Sequence, residues 1–173
     1  MSDGEPLKIR GFEVANLAEF VRSRVGEGWE DIFQDPGVSA KPKPTEWYPV
    51  EALSAIFSAL GPGTKLYREF GRLTARKVGS GLRILRFVSN LPLYLVKNAN
   101  VVWRYYFSRG KLEILESGDD FALVAFQDCN IPEPWVEEVA GWIESALDMG
   151  GSRNARAEVL SAKPDEAIIR ASW

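Results

Sequence analysis

The stretch from Trp47 to Lys77, WYPVEALSAIFSALGPGTKLYREFGRLTARK, constrains this chain more than any other because it reads as two amphipathic helices joined by a tight turn. Pro49 suits the first position of a helix, where no backbone donor is needed and φ is already helical. Val50, Leu53, Ile56, Phe57 and Leu60 then recur at threes and fours, the spacing of one apolar stripe. Gly61-Pro62-Gly63 stops that helix, since Gly61 can adopt the left-handed cap and Pro62 cannot continue, and Thr64 is the expected N-cap of the next. In the second helix Leu66, Phe70, Leu73 and Val78 face one way, while Lys65, Arg68, Arg72 and Arg76 gather on the other. One face packs and the other is cationic.

Ahead of this pair, LKIRGFEV reads as extended chain entering a helix whose apolar side is Leu17, Phe20, Val21 and Val25. Trp29, Ile32 and Phe33 are expected core anchors, and the prolines at 36, 42 and 44 make residues 34–46 a surface loop. After the pair, Gly79-Ser80-Gly81 permits a kink before Leu82, Leu85 and Val88, and Pro92 opens a further short piece. From Val101 the period changes. VVWRYYFS and KLEILES, on either side of Arg109-Gly110, read as a hairpin. Ser117-Gly118-Asp119-Asp120 turns the chain into FALVAF, a more buried strand. Pro132 and Pro134 then open a helix with Val136, Val139, Ile143 and Leu147 on one face, and ARAEVLS and AIIRASW flank Lys163-Pro164-Asp165 as a last hairpin. Helices followed by strands with one helix inserted predict a single α+β domain over residues 1–173. In it, N-terminal helices pack on a twisted antiparallel sheet of about four to five strands.

The chemistry is bounded by what is missing. There is no histidine, so the usual general base, haem ligand and zinc ligand are all absent at once. The single Cys129 excludes an internal disulfide, and its position before a helix is expected to be structural rather than catalytic. No run approaches the roughly 20 apolar residues that a bilayer-spanning helix needs, and the start is polar, so a cytoplasmic location is expected. The net charge of −3 argues against general nucleic-acid binding. No cofactor or metal is expected, and no enzyme activity.

Several of these segments together carry a family resemblance: Gly11 ahead of LAEFVRSRVGEGWEDI, then WYPVEAL, LYREFGRLTARK, the segment with Trp103 and Gly110, CNIPEPWVEEVAGWIESALDMGG, and the terminal strand ending in Trp173. In this order they resemble the fold group of haem-NO-binding (H-NOX) domains and 4-vinyl-reductase-type domains, and most of all an uncharacterised bacterial paralogous family near both. The resemblance implies helices and a twisted antiparallel sheet around a ligand pocket, working as a sensor. H-NOX domains hold haem through a histidine ahead of the sheet, where FVSNLPLYLV has none, and Tyr106-Phe107-Ser108-Arg109 only echoes their Tyr-x-Ser-x-Arg motif. The resemblance therefore implies a haem-free relative.

Two functional readings follow. The aromatic set Trp47, Tyr48, Tyr67, Phe70, Tyr94, Trp103 and Tyr105 either lines a pocket for a small apolar or aromatic ligand or fills a core, and periodicity does not separate the two. The first case is a ligand-binding or sensory domain; the second is a protein-interaction scaffold. For the scaffold the expected contact is the cationic row Lys65, Arg68, Arg72 and Arg76, within a segment from Thr64 to Arg86 holding seven basic residues against Glu69 alone. Glu133, Glu137, Glu144 and Asp148 form an acidic row on another helix, so a homodimer or an acidic protein partner is the expected occupant.

Overall fold

The computed structural model describes residues 5–82, 94–95, 97–163 and 166–173; the segments expected around Leu85, Val88 and Pro92 and the Pro164-Asp165 turn lie outside the described residues. Strand β1 (Lys8–Arg10) pairs antiparallel with β2 (Trp47–Pro49), placing Ile9 opposite Tyr48. This short ribbon sets the starts of α1 (Gly11–Val25) and α2 (Val50–Leu60) side by side, with the Gly11 N–H donating to the Glu46 carbonyl at 2.8 Å and that of Val50 to Leu7 at 2.9 Å. The 3-10 turn Trp29–Phe33 buries Phe33 beneath them. Helix α1 presents Leu17, Phe20 and Val21 inward as the spacing requires, whereas Val25, expected on the same side, is exposed because the last turn runs past the core. Glu13 lies on the buried side of α1.

Helix α2 buries Val50, Leu53, Ile56 and Phe57. Gly61 and Gly63 then take φ of 146° and 91°, which a residue with a Cβ rarely adopts, and the chain turns into α3 (Lys65–Leu82). The Arg68 N–H donates to the Thr64 carbonyl at 3.2 Å, which places Thr64 at the N-cap. Helix α3 runs through Gly79-Ser80-Gly81 to Leu82, so these glycines do not end it where a kink was expected.

The largest departure from the sequence reading is at VVWRYYFS. This segment is not a strand; it is helix α4 (Ala99–Tyr106), and only Phe107 is extended, bridging Ile9 of β1. The aromatic and β-branched content favours a strand locally, but Val102, Trp103 and Tyr106 also share a helical face, and burying that face decides the outcome. The hairpin instead joins β3 (Lys111–Ser117) to β4 (Phe121–Gln127). Asp119 and Asp120 form its turn, as expected, and their carbonyls accept hydrogen bonds from the Trp173 indole at 3.0 Å and the Trp173 backbone at 2.9 Å. Helix α5 (Glu133–Met149) follows, then β5 (Arg156–Lys163) and β6 (Glu166–Ser172).

The sheet is fully antiparallel in the order β3-β4-β6-β5. Both edge strands are irregular, between Ile114 and Glu116 and between Val159 and Ser161, and the residues at these breaks, Leu115 and Leu160, face solvent. Such irregularities discourage edge-to-edge pairing.

Helix α5 lies across the sheet and α3 crosses it at minimum separation. A Cβ built on Gly71 would overlap the Glu138 carbonyl, and one built on Gly141 would overlap the Arg68 carbonyl. Beside this crossing, Phe57 stacks on Tyr67 with centroids 4.0 Å apart, and Trp135 meets both edge-on at 5.7 Å while its indole donates to Ser54 Oγ at 2.9 Å. In an exposed helix Gly→Ala gains about 0.5–1 kcal/mol. At Gly141 the sign reverses: Gly141→Ala forces the helices apart and is expected to cost about 2–3 kcal/mol in chemical denaturation.

A candidate ligand cavity and an internal charge network

Where α4 and α5 cross the sheet they do not close completely. Val102, Trp103 and Tyr106 of α4, Val139, Trp142 and Ile143 of α5, and Val124 and Phe126 of β4 enclose a cavity of about 90 Å³. A water needs roughly 10–15 Å³ on this measure, so the space suits about six to eight heavy atoms. The wall is apolar apart from Glu138, the Tyr106 phenol and the Trp142 indole.

The phenol and the indole are buried without partners among the described residues. Tyr106 Oη and Trp142 Nε1 make no hydrogen bond among the described residues, and neither oxygen of Glu13 makes one. The Trp142 and Tyr106 rings meet edge-on at 5.8 Å, and the Tyr106 ring also packs edge-on against Phe12 at 5.2 Å. Phe12 and Glu13 are successive residues of α1, which brings Glu13 beside Tyr106 from the far side. Glu13 is 1 % exposed and Glu138 5 %. Burial pushes the Glu13 carboxyl from 4.5 up to about 8, with Asn16 and Lys77 near enough to pull it partly back. Burial raises Glu138 as well, and the neighbouring Glu13 charge adds to the shift. The Tyr106 phenol is raised by burial first and then by Glu13. Glu138 and the rings of Tyr106 and Trp142 thus lie along one side of an apolar space with Glu13 behind Tyr106, and burial favours the neutral form of both carboxyls.

Only Trp103 of the expected aromatic set lines this cavity. Tyr67 and Phe70 pack with Phe57 in the core behind α5. Trp47 covers the Arg10 guanidinium at 4.0 Å, and Tyr48 Oη accepts from the Lys43 N–H at 3.0 Å, both on the β1–β2 ribbon. Tyr94 and Tyr105 are 41 % and 61 % exposed. Glu13, Tyr106, Glu138 and Trp142 were missed. A signal existed: Glu13 precedes Leu17 by four residues, and Glu138 lies three after Trp135 and four before Trp142, so both acids sit on apolar stripes.

The charged rows expected to dock a partner meet within this chain, where Arg68 and Arg72 bond to acids of α5. Arg68 Nε donates to Glu137 at 2.7 Å, its Nη1 to Glu144 Oε1 at 2.6 Å and its Nη2 to the Ala157 carbonyl at 2.9 Å. Arg72 donates to Glu144 Oε2 from Nε at 3.0 Å and from Nη2 at 2.6 Å, and the Ala157 N–H donates to Glu144 Oε1 at 3.1 Å. The glycine crossing brings the two rows this close. Lys65 and Arg76 have no acidic partner among the described residues. Cys129 is buried against Gly110, and burial raises its thiol, the reverse of what a reactive cysteine needs.

Neither a family model nor a curated protein matches the sequence. The fold, however, is that of H-NOX domains. An oxygen-binding H-NOX domain related to soluble guanylate cyclases, solved as its oxygen complex, is 12 % identical, with 94 % of each chain covered and a TM-score of 0.69. An Fe(II) unliganded H-NOX mutant from K. algicida is 9 % identical over 94 % of this chain and 95 % of its own, with a TM-score of 0.70. A mutant of the T. Tengcongensis H-NOX is 14 % identical over 94 % and 96 %, at 0.69. The residues described around the cavity do not fit a haem. The chain has no histidine, the cavity wall contains neither cysteine nor methionine, the Tyr106 phenol is held protonated, and the space is far smaller than the macrocycle. Among the described residues no cluster of metal-ligating side chains occurs, and no helix is long and apolar enough to cross a membrane.

Two outcomes follow. The unfolded chain releases the Glu13 proton near 4.5 while the folded chain holds it to about 8, so between these values the folded state binds more protons and stability falls as pH rises. Urea titrations across this window should show a loss to which Glu13 contributes about 1.4 kcal/mol per pH unit, and Glu13→Gln should make the dependence distinctly shallower while leaving the part that Glu138 adds. Glu144→Ala strands Arg68, Arg72 and the Ala157 N–H; it should cost about 3 kcal/mol, with only a modest change between low and high salt because the Glu144 carboxylate at the centre of the network is buried.

Proposed function

We propose that residues 1–173 work as one non-enzymatic, haem-free binding domain that senses a small, mainly apolar ligand in the cavity between α4, α5 and the sheet. The observation that carries this reading is the pairing of an apolar cavity with buried polar atoms that have no partner among the described residues. A core that only packs avoids such atoms, because each costs about 1–3 kcal/mol when left unpaired, whereas a binding site retains a few to orient its guest. The wall also contains both α4 and α5, so a guest that tightens them acts on the Gly71–Gly141 crossing and through it on the charged outer face. That coupling gives a binding event a route to the surface.

The rival reading is a scaffold whose work is done outside. It is favoured by the modest volume of the cavity and by Lys65 and Arg76, which remain available to an acidic partner. The two separate experimentally. Thermal unfolding with neutral probes of six to eight heavy atoms, such as toluene, should raise Tm by about 5 to 10 °C at a hundredfold excess over Kd. Ala146→Phe, which fills the cavity from α5, should abolish the shift. If no probe moves Tm and the filled variant is simply more stable, the cavity is a packing defect and the scaffold reading replaces this one. Stoichiometric haem in protein purified from cells, seen as a Soret band, refutes the haem-free part.

A further inference from the structure

The polar end of the cavity says more about its guest than the apolar walls do. Glu13 from α1 comes close enough to Glu138 from α5 for its charge to raise the Glu138 carboxyl further. No described cation bonds to either acid. The nearest, Lys77 of α3, has its Nζ held by Asn16 and Glu19 on the outer side of α1. The tyrosines here, Tyr106 and Tyr105 of α4, supply no positive charge in either protonation state. Among the described residues neither buried carboxyl is paired with the counter-charge that normally accompanies one. Glu138 lines the cavity together with the rings of Tyr106 and Trp142, whose phenol and indole N–H have no partner among the described residues, and these observations of geometry point to a guest at the same place.

We propose that this guest is a small organic amine, its ammonium held by the Glu138 carboxylate beneath the rings of Trp103, Tyr106 and Trp142 and its apolar body lying along Val139 and Ile143. The proposal rests on the ligand-binding reading above and specifies the chemistry of the same site. Aromatic faces around a carboxylate suit an ammonium, which gains from both. A metal ion is a poor alternative: hard cations take six or more oxygens, and this wall offers a carboxyl, a phenol and otherwise hydrocarbon. A carboxylate guest would meet two acids and be disfavoured by either in its ionised form. Binding is a proton exchange: the ammonium enters, Glu138 gives up its proton to solvent, and the charge of the site stays balanced. Glu13 stays protonated behind it, since a second carboxylate would be uncompensated.

Titration calorimetry at pH 7.5 with benzylamine, benzyl alcohol, toluene and benzoate tests this. Benzylamine should bind about tenfold or more tightly than benzyl alcohol, benzoate should not bind, and the heat of benzylamine binding should vary with the ionisation enthalpy of the buffer in proportion to about one proton released. Glu138→Gln should reduce benzylamine to the affinity of benzyl alcohol. Equal affinity for amine and alcohol in the native chain, or amine binding with no proton released, overturns the amine proposal and leaves a site for neutral guests. If none of the four binds, the ligand-binding reading fails with it. The proton count is read on the unmodified protein, so the test stands even where Glu138→Gln does not fold.

Discussion

The structure depends on how closely α3 and α5 approach. Glycine at position 71 on one helix and 141 on the other lets each backbone contact the other's carbonyl directly, a spacing no larger pair of residues permits. At that distance Arg68, half-buried, and Arg72, exposed, both reach acids of α5, and Glu144 continues to the Ala157 backbone, tying the helix pair to β5. One crossing therefore joins the helical half to the sheet. A network of this kind adds little free energy over an apolar substitute, but it admits one register, since any slide along the helices strands a buried charge.

The same crossing decides what α5 does with its other faces. With its glycine side against α3, Glu138, Trp142 and Val139 border the space beneath α4. Glu13 reaches the same place from α1 because the β1–β2 ribbon anchors the first turn of that helix. Two acids 125 residues apart in the chain are thus buried close together, Glu138 on the cavity wall and Glu13 behind Tyr106. Such burial is costly where, as for Glu13, no partner occurs among the described residues.

The H-NOX fold here carries different donor chemistry from what its solved neighbours' descriptions imply. A fold is a way of enclosing space, and the residues lining that space set what it accepts. In this chain they are hydrocarbon, rings and two raised carboxyls. The likeness in backbone at 9–14 % identity supports the architecture and leaves the guest to be argued from the wall.

The elements with strong period were legible from the sequence: α1, the α2–α3 pair around Gly61-Pro62-Gly63, the inserted helix α5, and the strands β3 to β6 each follow from local spacing and turn chemistry. The missing histidine is likewise a property of the chain alone. Tertiary structure decided the rest. VVWRYYF became helical because one helical face could be buried on the sheet, which outweighed its local preference for a strand. Arg68 and Arg72 bond to acids of their own chain because Gly71 and Gly141 bring the two helices close enough for them to reach. Glu13 and Glu138 each look like an isolated acid on an apolar stripe, and only their meeting beside Tyr106 makes a site. Local pattern fixes which face of a helix is apolar, but which distant face it meets depends on the close approach of separate backbones, and that is a property of the folded chain.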